Sequence, residues 1–221
     1  MLDARERKLM RLASGLPDVL SERTYNLLLG ACVLYGFVVN ALIVWGCGDL
    51  FVRINIWAFV VVYLVCCIVG VLITRSPDPV MSFIGYNFVV LPIGALTSVC
   101  LPGYGVDNIL AAIVVTGVVA LAMMVLASIY PRVFARLGGA LFVSLILAVV
   151  AELAALLMGY PADIFNWLFV VIYSLYLGYD WYRAQSYPKT VDNAVDSALD
   201  IYLDIILLFM KLLRILGNDK D

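Results

Sequence analysis

Apolar runs separated by short polar breaks dominate this sequence of 221 residues. Seven of these runs reach or approach the roughly 20 residues that a helix needs to cross the hydrocarbon core of a bilayer. The breaks are rich in Gly, Pro and Asp, which favour turns. The pattern predicts an all-α integral membrane protein with seven transmembrane helices. We place these helices at 24–46, 54–74, 79–101, 106–130, 137–158, 164–180 and 195–216.

The same pattern leaves little sequence outside the membrane. Residues 24–216 form a single predicted membrane domain between an N-terminal segment at 1–23 and a C-terminal tail at 217–221. The connection from Trp181 to Ala194 is the only long polar one, so no loop can hold a soluble domain. The first apolar run is long enough to span, unlike the core of a cleavable signal peptide.

Basic residues set the predicted orientation, because Lys and Arg accumulate on the cytoplasmic side of membrane proteins. With a cytoplasmic N-terminus, the inner segments hold most of the Lys and Arg, and the outer loops between spans hold only Arg53. Lys211, Arg214 and Lys220 oppose this bias, since seven crossings place them outside. The last segment is therefore either a full span or a buried central helix.

Composition agrees with a bilayer as the solvent and excludes several classes of function. The chain is 65% hydrophobic and 14% charged, against about 25% charged in soluble domains. A net charge of −2 gives no basic surface for nucleic acid. The sequence has no histidine, which excludes histidine-dependent nucleophilic catalysis and histidine-ligated zinc. The five cysteines form no CxxC pair, and we interpret them as small buried hydrophobic residues.

Carboxylates inside apolar segments are the candidate functional groups, because ionisable side chains in a membrane are costly. Asp196, Asp200 and Asp204 follow one another at four-residue spacing, so they form one stripe on a helix. Asp180 ends the preceding segment on the same side of the membrane and can face the start of the last segment. Glu152 lies deep in the fifth segment. We predict that these carboxylates line an ion path or bind a metal ion.

The predicted proximity of Asp180 and Asp204 indicates a proton-sensitive pair. Two carboxylates that meet in a pocket of low dielectric share a proton, and the pKa of one of them rises. Such a pair acts as a pH-dependent latch and offers oxygen ligands to a hard cation such as Ca²⁺. The alternative is a structural role, in which the carboxylates cap helix ends or pair with Arg75 or Lys211. Lys211 lies seven residues after Asp204, and either Lys211 or Glu152 could neutralise or extend the acidic stripe.

Other polar and aromatic groups have plainer interpretations. Asn40 in the first segment is predicted to make a hydrogen bond between helices. The sixth segment and its exit are rich in Trp and Tyr, which indicates an aromatic belt at the membrane surface or the lining of a site at Asp180. These residues are Trp167, Tyr173, Tyr176, Tyr179, Trp181 and Tyr182.

The last two segments carry motifs of a known family. Segment six ends in Leu-Tyr-Leu-Gly-Tyr-Asp at 175–180. Segment seven contains Ala-Leu-Asp-Ile-Tyr-Leu-Asp at 198–204 and Leu-Leu-Arg-Ile-Leu-Gly at 212–217. These motifs resemble those of the Bax inhibitor-1 family. The 24-residue separation of Asp180 and Asp204 is similar to that in bacterial members, and Gly94 is similar in position to a recurrent family glycine.

The resemblance implies a seven-span fold with a central last helix and a pH-sensitive Ca²⁺ leak across the membrane. It implies that Asp180 and Asp204 are the pH-sensing pair, and that Arg75 is the nearest candidate for an arginine that latches to them. Some members place a glutamate in segment two, where this chain has none and carries Tyr63 near that position. A bacterial-type member with such short loops is expected in the bacterial plasma membrane. Its expected partners are the lipid bilayer, Ca²⁺ and protons, with no resident cofactor.

Other functions stay open at the level of sequence. Family members have been linked to stress and cell-death control, which implies a non-transporting regulator or scaffold that binds other membrane proteins. A proton-coupled Ca²⁺ exchanger is a variant of the leak. Two membrane aspartates also occur in intramembrane aspartyl proteases, but the Gly-x-Gly-Asp and Pro-Ala-Leu motifs of those enzymes are absent here. We therefore predict no enzymatic activity.

Overall fold

The computed structural model of the chain describes residues 19–52, 56–161 and 163–217. Most of the predicted N-terminal segment, Arg53 and the tail after Gly217 lie outside the described residues. Every regular element in the described part is helical, which confirms the all-α class. The α-helices are α1 (Glu22–Val52), α2 (Ile56–Ile73), α3 (Pro79–Cys100), α4 (Val106–Ile129), α5 (Pro131–Phe134), α6 (Gly138–Leu157), α7 (Asp163–Ser186) and α8 (Val191–Gly217), with a 3₁₀ turn at Leu101–Gly103.

Several of these helices suit a bilayer. Four stretches in the described part of the chain are long and apolar enough to cross a membrane, judged by length and composition. They are Glu22–Gly46, Pro79–Gly103, Val106–Ile129 and Gly138–Leu157. α2 contributes a shorter apolar stretch, Ala58–Ile73. The count of seven spans and a central last helix therefore stay predictions.

The apolar run of segment six is shorter than the helix that contains it. The sequence places the end of this segment at Asp180, but α7 continues to Ser186 and α8 begins at Val191. The prediction of a long polar connection from Trp181 to Ala194 is therefore wrong, because only residues 187–190 link the two helices. Hydropathy reports apolarity rather than helicity. The backbone stays helical through polar residues until Pro188, which disfavours helical geometry in the residue before it.

The chain divides into two compact units, and the boundary falls within α8. The first unit comprises Met1–Pro102 and Tyr187–Tyr202. Within it, α3 packs against both α1 and α2. Glycines bring α2 and α3 together: a Cβ added to Gly85 would lie 2.6 Å from the carbonyl oxygen of Gly70. Two backbones approach this closely only where neither residue carries a side chain, a packing mode typical of membrane helices.

A buried polar cluster holds the first unit together. Asn40 Nδ2 donates a hydrogen bond to the Tyr202 hydroxyl at 2.6 Å, which confirms the predicted bond between helices. The Tyr86 hydroxyl donates to the Cys32 carbonyl at 2.7 Å, and the rings of Tyr86 and Tyr202 lie 5.9 Å apart. A Cβ on Gly94 would lie 2.8 Å from Asn40 Oδ1, so glycine at this position leaves room for the amide.

The cysteines of this unit carry no disulfide among the described residues. Cys32, Cys66, Cys67 and Cys100 are free thiols, in agreement with the sequence. Cys32 is buried and the other three are half-buried. The side chain of Cys47 lies outside the described part of the structure.

Tyr202→Phe should destabilise the protein by about 1 kcal/mol, because the buried Asn40 amide loses its acceptor. The ring and its packing against Tyr86 remain, so the loss isolates the hydrogen bond. Thermal unfolding in detergent, followed by circular dichroism, measures the change. Tyr160→Phe is the matched control, since Tyr160 is 61% exposed. Equal melting temperatures for the two variants would contradict a stabilising role for this bond.

The second unit comprises Gly103–Ser186 and Leu203–Asp221. Within it, α7 packs against α4 and α6, and the short α5 contacts α4 and α7. Ala148, Phe169 and Ile172 form a buried apolar cluster between α6 and α7, with Tyr173 and Tyr176 packed against its edge. Any side chain at Gly178 would collide with the Phe134 ring, so this glycine lets α5 lie directly against α7.

Candidate functional site

Asp180 lies inside α7 and forms an ion pair with its own helix. Arg183 Nη1 donates a hydrogen bond to Asp180 Oδ1 at 2.8 Å, and the arginine lies one turn further along α7. Side chains at this spacing are neighbours on a helix surface. The guanidinium also lies 5.3 Å from the centre of the Tyr179 ring. The ion pair between Arg183 and Asp180 forms because α7 continues past Asp180. The sequence analysis ends this segment at Asp180 and therefore does not predict the pair.

Asp204 belongs to the second unit and is as buried as Asp180. Both residues are 7% exposed. Tyr176 on α7 interacts electrostatically with both carboxylates, and Tyr173, one turn earlier, interacts with Asp204 and Glu152. Both aspartates therefore interact electrostatically with Tyr176. Whether the aromatic residues of α7 line a site or form a belt at the membrane surface stays a prediction.

Glu152 and Lys211 form a second ion pair in the same unit. Lys211 Nζ lies 3.0 Å from Glu152 Oε1, and the two side chains are 19% and 24% exposed. The ammonium also lies 4.1 Å from the centre of the Phe169 ring. Lys211 and Glu152 therefore pair with each other, and their predicted effect on the acidic stripe of α8 stays a prediction.

We name this set of ionisable and hydroxyl side chains the polar track. The set combines three carboxylates, two cations and two tyrosine hydroxyls. A tyrosine hydroxyl can donate a hydrogen bond to a carboxylate and accept one from a cation. Its members, all in the second unit, are Lys211, Glu152, Tyr173, Asp204, Tyr176, Asp180 and Arg183. The α7 members follow the spacing of one helix face, because Tyr173, Tyr176, Asp180 and Arg183 are three, four and three residues apart.

The remaining predicted site residues belong to the first unit. Asp196 and Asp200 lie on α8 and are half-buried. Arg75 is exposed in the turn after α2, where its backbone N–H donates to the Leu72 carbonyl at 3.3 Å. The roles assigned to these three residues stay predictions. Within the described part of the chain, no group of three or more Cys, Asp or Glu side chains converges to hold a metal ion.

One acidic residue escaped the sequence interpretation. Asp192 continues the four-residue spacing of the α8 stripe and is 5% exposed. Its Oδ1 lies 2.5 Å from the Ser82 hydroxyl, which also approaches the carbonyl oxygens of Thr74 and Ser76 at 3.3 Å. This contact joins the first turn of α8 to the start of α3 within the first unit. The spacing alone would have predicted Asp192, had the helix been extended to Val191.

A family model described as "Inhibitor of apoptosis-promoting Bax1" matches residues 17–221. The matched region contains all eight described α-helices and extends well beyond the C-terminal motifs. No curated protein matches the chain.

Proposed function

This chain belongs to the Bax inhibitor-1 family, and from that premise we propose that it is a pH-sensitive cation leak that conducts Ca²⁺. The family and the four long apolar helices indicate an integral membrane protein. The proposal includes seven spans, a central last helix and a cytoplasmic N-terminus in a bacterial plasma membrane. It requires neither enzymatic activity nor a resident cofactor.

The electrostatic interaction of Tyr176 with two buried aspartates is the observation that supports the proposal best. Asp180 and Asp204 come from different helices, and both interact with this one hydroxyl. In this proposal the two carboxylates titrate as a coupled set rather than as independent groups. Each proton that enters or leaves this set changes the charge along the polar track. Burial makes that change large, because water does not screen it.

The proposed gate follows from this coupling. When the pair holds a proton, Asp180 and Asp204 are bridged through hydrogen bonds and α8 stays in place. When both carboxylates are ionised they repel each other and attract a cation, which favours a shifted α8 and an acidic path. A bias of a few kcal/mol between the two arrangements is sufficient to move most molecules from one to the other. Asp196 and Asp200 are further candidates for this path, and a latching role for Arg75 stays an expectation from the family resemblance.

The main alternative is a regulator that does not transport ions. The family description names inhibition of an apoptosis-promoting protein. In this alternative the chain binds other membrane proteins through its apolar faces, and the aspartates only pair structurally. A proton-coupled exchanger is the other variant, in which an imposed pH gradient drives Ca²⁺ uphill.

Ca²⁺ flux into dye-loaded liposomes tests the proposal directly. Purified protein in liposomes should pass Ca²⁺ at a rate that changes across about pH 5 to 8, the range in which coupled carboxylates and protons compete. Protein-free liposomes measure the background. No flux above this background at any pH would refute the leak and favour the regulator. Accumulation against a Ca²⁺ gradient under an imposed pH gradient would identify an exchanger instead.

A further inference from the structure

The proposed proton sensing is assigned to Asp180 and Asp204, and it gives the ion pair of Glu152 and Lys211 no role. Glu152 is the only charged side chain of α6, which from Gly138 to Leu157 has Ser144 as its one other polar side chain. A lone carboxylate on such a helix is costly, and ionisable residues within membrane segments usually mark an ion pathway. We therefore infer that the ion pair of Glu152 and Lys211 has a function separate from proton sensing.

Lys211 is held on the carboxylate by two contacts. Its ammonium lies 3.0 Å from Glu152 Oε1 and 4.1 Å from the centre of the Phe169 ring. An ammonium over an aromatic face gains a cation–π attraction, which strengthens when water is excluded. The ammonium thus occupies the place that a free cation bound to Glu152 would take.

The pair also lies on the same track as Asp204. Lys211 is seven residues after Asp204, so both project from nearly the same face of α8, about 10 Å apart along its axis. Tyr173 interacts electrostatically with both Asp204 and Glu152, so both carboxylates act on the same side chain. A cation that leaves Asp204 along this face would meet Glu152 next.

We propose that Glu152 is a second cation-binding position of the leak and that the Lys211 ammonium blocks it as a tethered competitor. The inference rests on the proposed leak and adds a second constriction to it. A conducted cation must displace the ammonium from the carboxylate before it can pass. The ligand class is a small inorganic cation that prefers oxygen ligands, with Ca²⁺ as the probe.

Lys211→Met should raise Ca²⁺ flux at fixed pH by roughly tenfold, within the usual range of coupling between two sites. Methionine preserves the contact with Phe169, since thioethers pack well on aromatic rings, so little packing is lost. The double variant E152Q/K211M should lose this gain, because the binding carboxylate is gone. Lys211→Arg keeps the charge and should behave as wild type. Arg214→Met removes an exposed positive charge from the same helix and controls for net charge.

The outcomes separate the inference from the leak itself. If Lys211→Met and wild type show the same flux with an intact pH response, the leak stands and the tethered competitor is refuted. If no protein conducts, the leak is refuted, and equilibrium binding of radioactive Ca²⁺ in detergent decides the inference. Tighter binding by Lys211→Met than by wild type and E152Q/K211M upholds it, and equal binding overturns it. Lys211→Gln replaces Lys211→Met in both measurements if the latter does not fold.

Discussion

Asp204→Asn should lower Ca²⁺ flux by about tenfold or more and remove its dependence on pH. Asparagine has nearly the same shape as aspartate but cannot ionise, so the proton-sensitive charge in the polar track disappears while the packing around it stays. Asp204 is buried, which makes its charge effective over several ångströms. A loss of one coupled charge is typically worth 1–3 kcal/mol, or about 5–150-fold.

The partner variant sharpens this test. Asp180→Asn should have a similar effect, and the double variant should be little worse than either single one, because the two carboxylates act as one unit. Asp107→Asn is the matched control, since Asp107 is an exposed residue at the start of α4. Flux is measured in dye-loaded liposomes at several pH values. Wild-type pH dependence in Asp204→Asn, or fully additive losses in the double variant, would refute a coupled sensor.

The residues of the track differ in how far the sequence could predict them. Asp180 and Asp204 are identified by the cost of a carboxylate in an apolar segment and by the family motifs. Arg183 escaped because the sixth apolar run ends at Asp180, whereas the helix that brings Arg183 to Asp180 continues to Ser186. Hydropathy therefore identifies the apolar part of a helix well, but it identifies the residue at which the helix ends poorly.

The tyrosines and the second ion pair show a different limit. Aromatic residues near the end of a span look alike in sequence whether they face lipid headgroups or line a site, so Tyr173 and Tyr176 had two interpretations. Glu152 and Lys211 were recognised as unusual, but they are 59 residues apart and only tertiary packing pairs them. Sequence predicts which groups need a partner, and packing decides which partner they find.

The helix contacts of the first unit were the least accessible to sequence analysis. Gly70 and Gly85 are unremarkable in hydropathy, yet a Cβ on Gly85 would lie 2.6 Å from the Gly70 carbonyl oxygen and 2.7 Å from the Thr74 nitrogen. Both neighbours are backbone atoms, so no side-chain rotation can relieve the overlap. α2 and α3 must separate to accommodate even one methyl group.

Gly85→Ala should therefore destabilise the protein by about 2 kcal/mol or more, at the upper part of the range for overpacked cores. The same exchange at Gly30, where no atom lies within 4 Å of an added Cβ, should be neutral or slightly stabilising, because alanine favours the helix. Thermal unfolding in detergent compares the two variants with wild type. Equal stability of Gly85→Ala and Gly30→Ala would contradict the close approach of the α2 and α3 backbones at Gly70 and Gly85. A selective loss in Gly85→Ala would instead identify backbone proximity as what holds this pair of helices together.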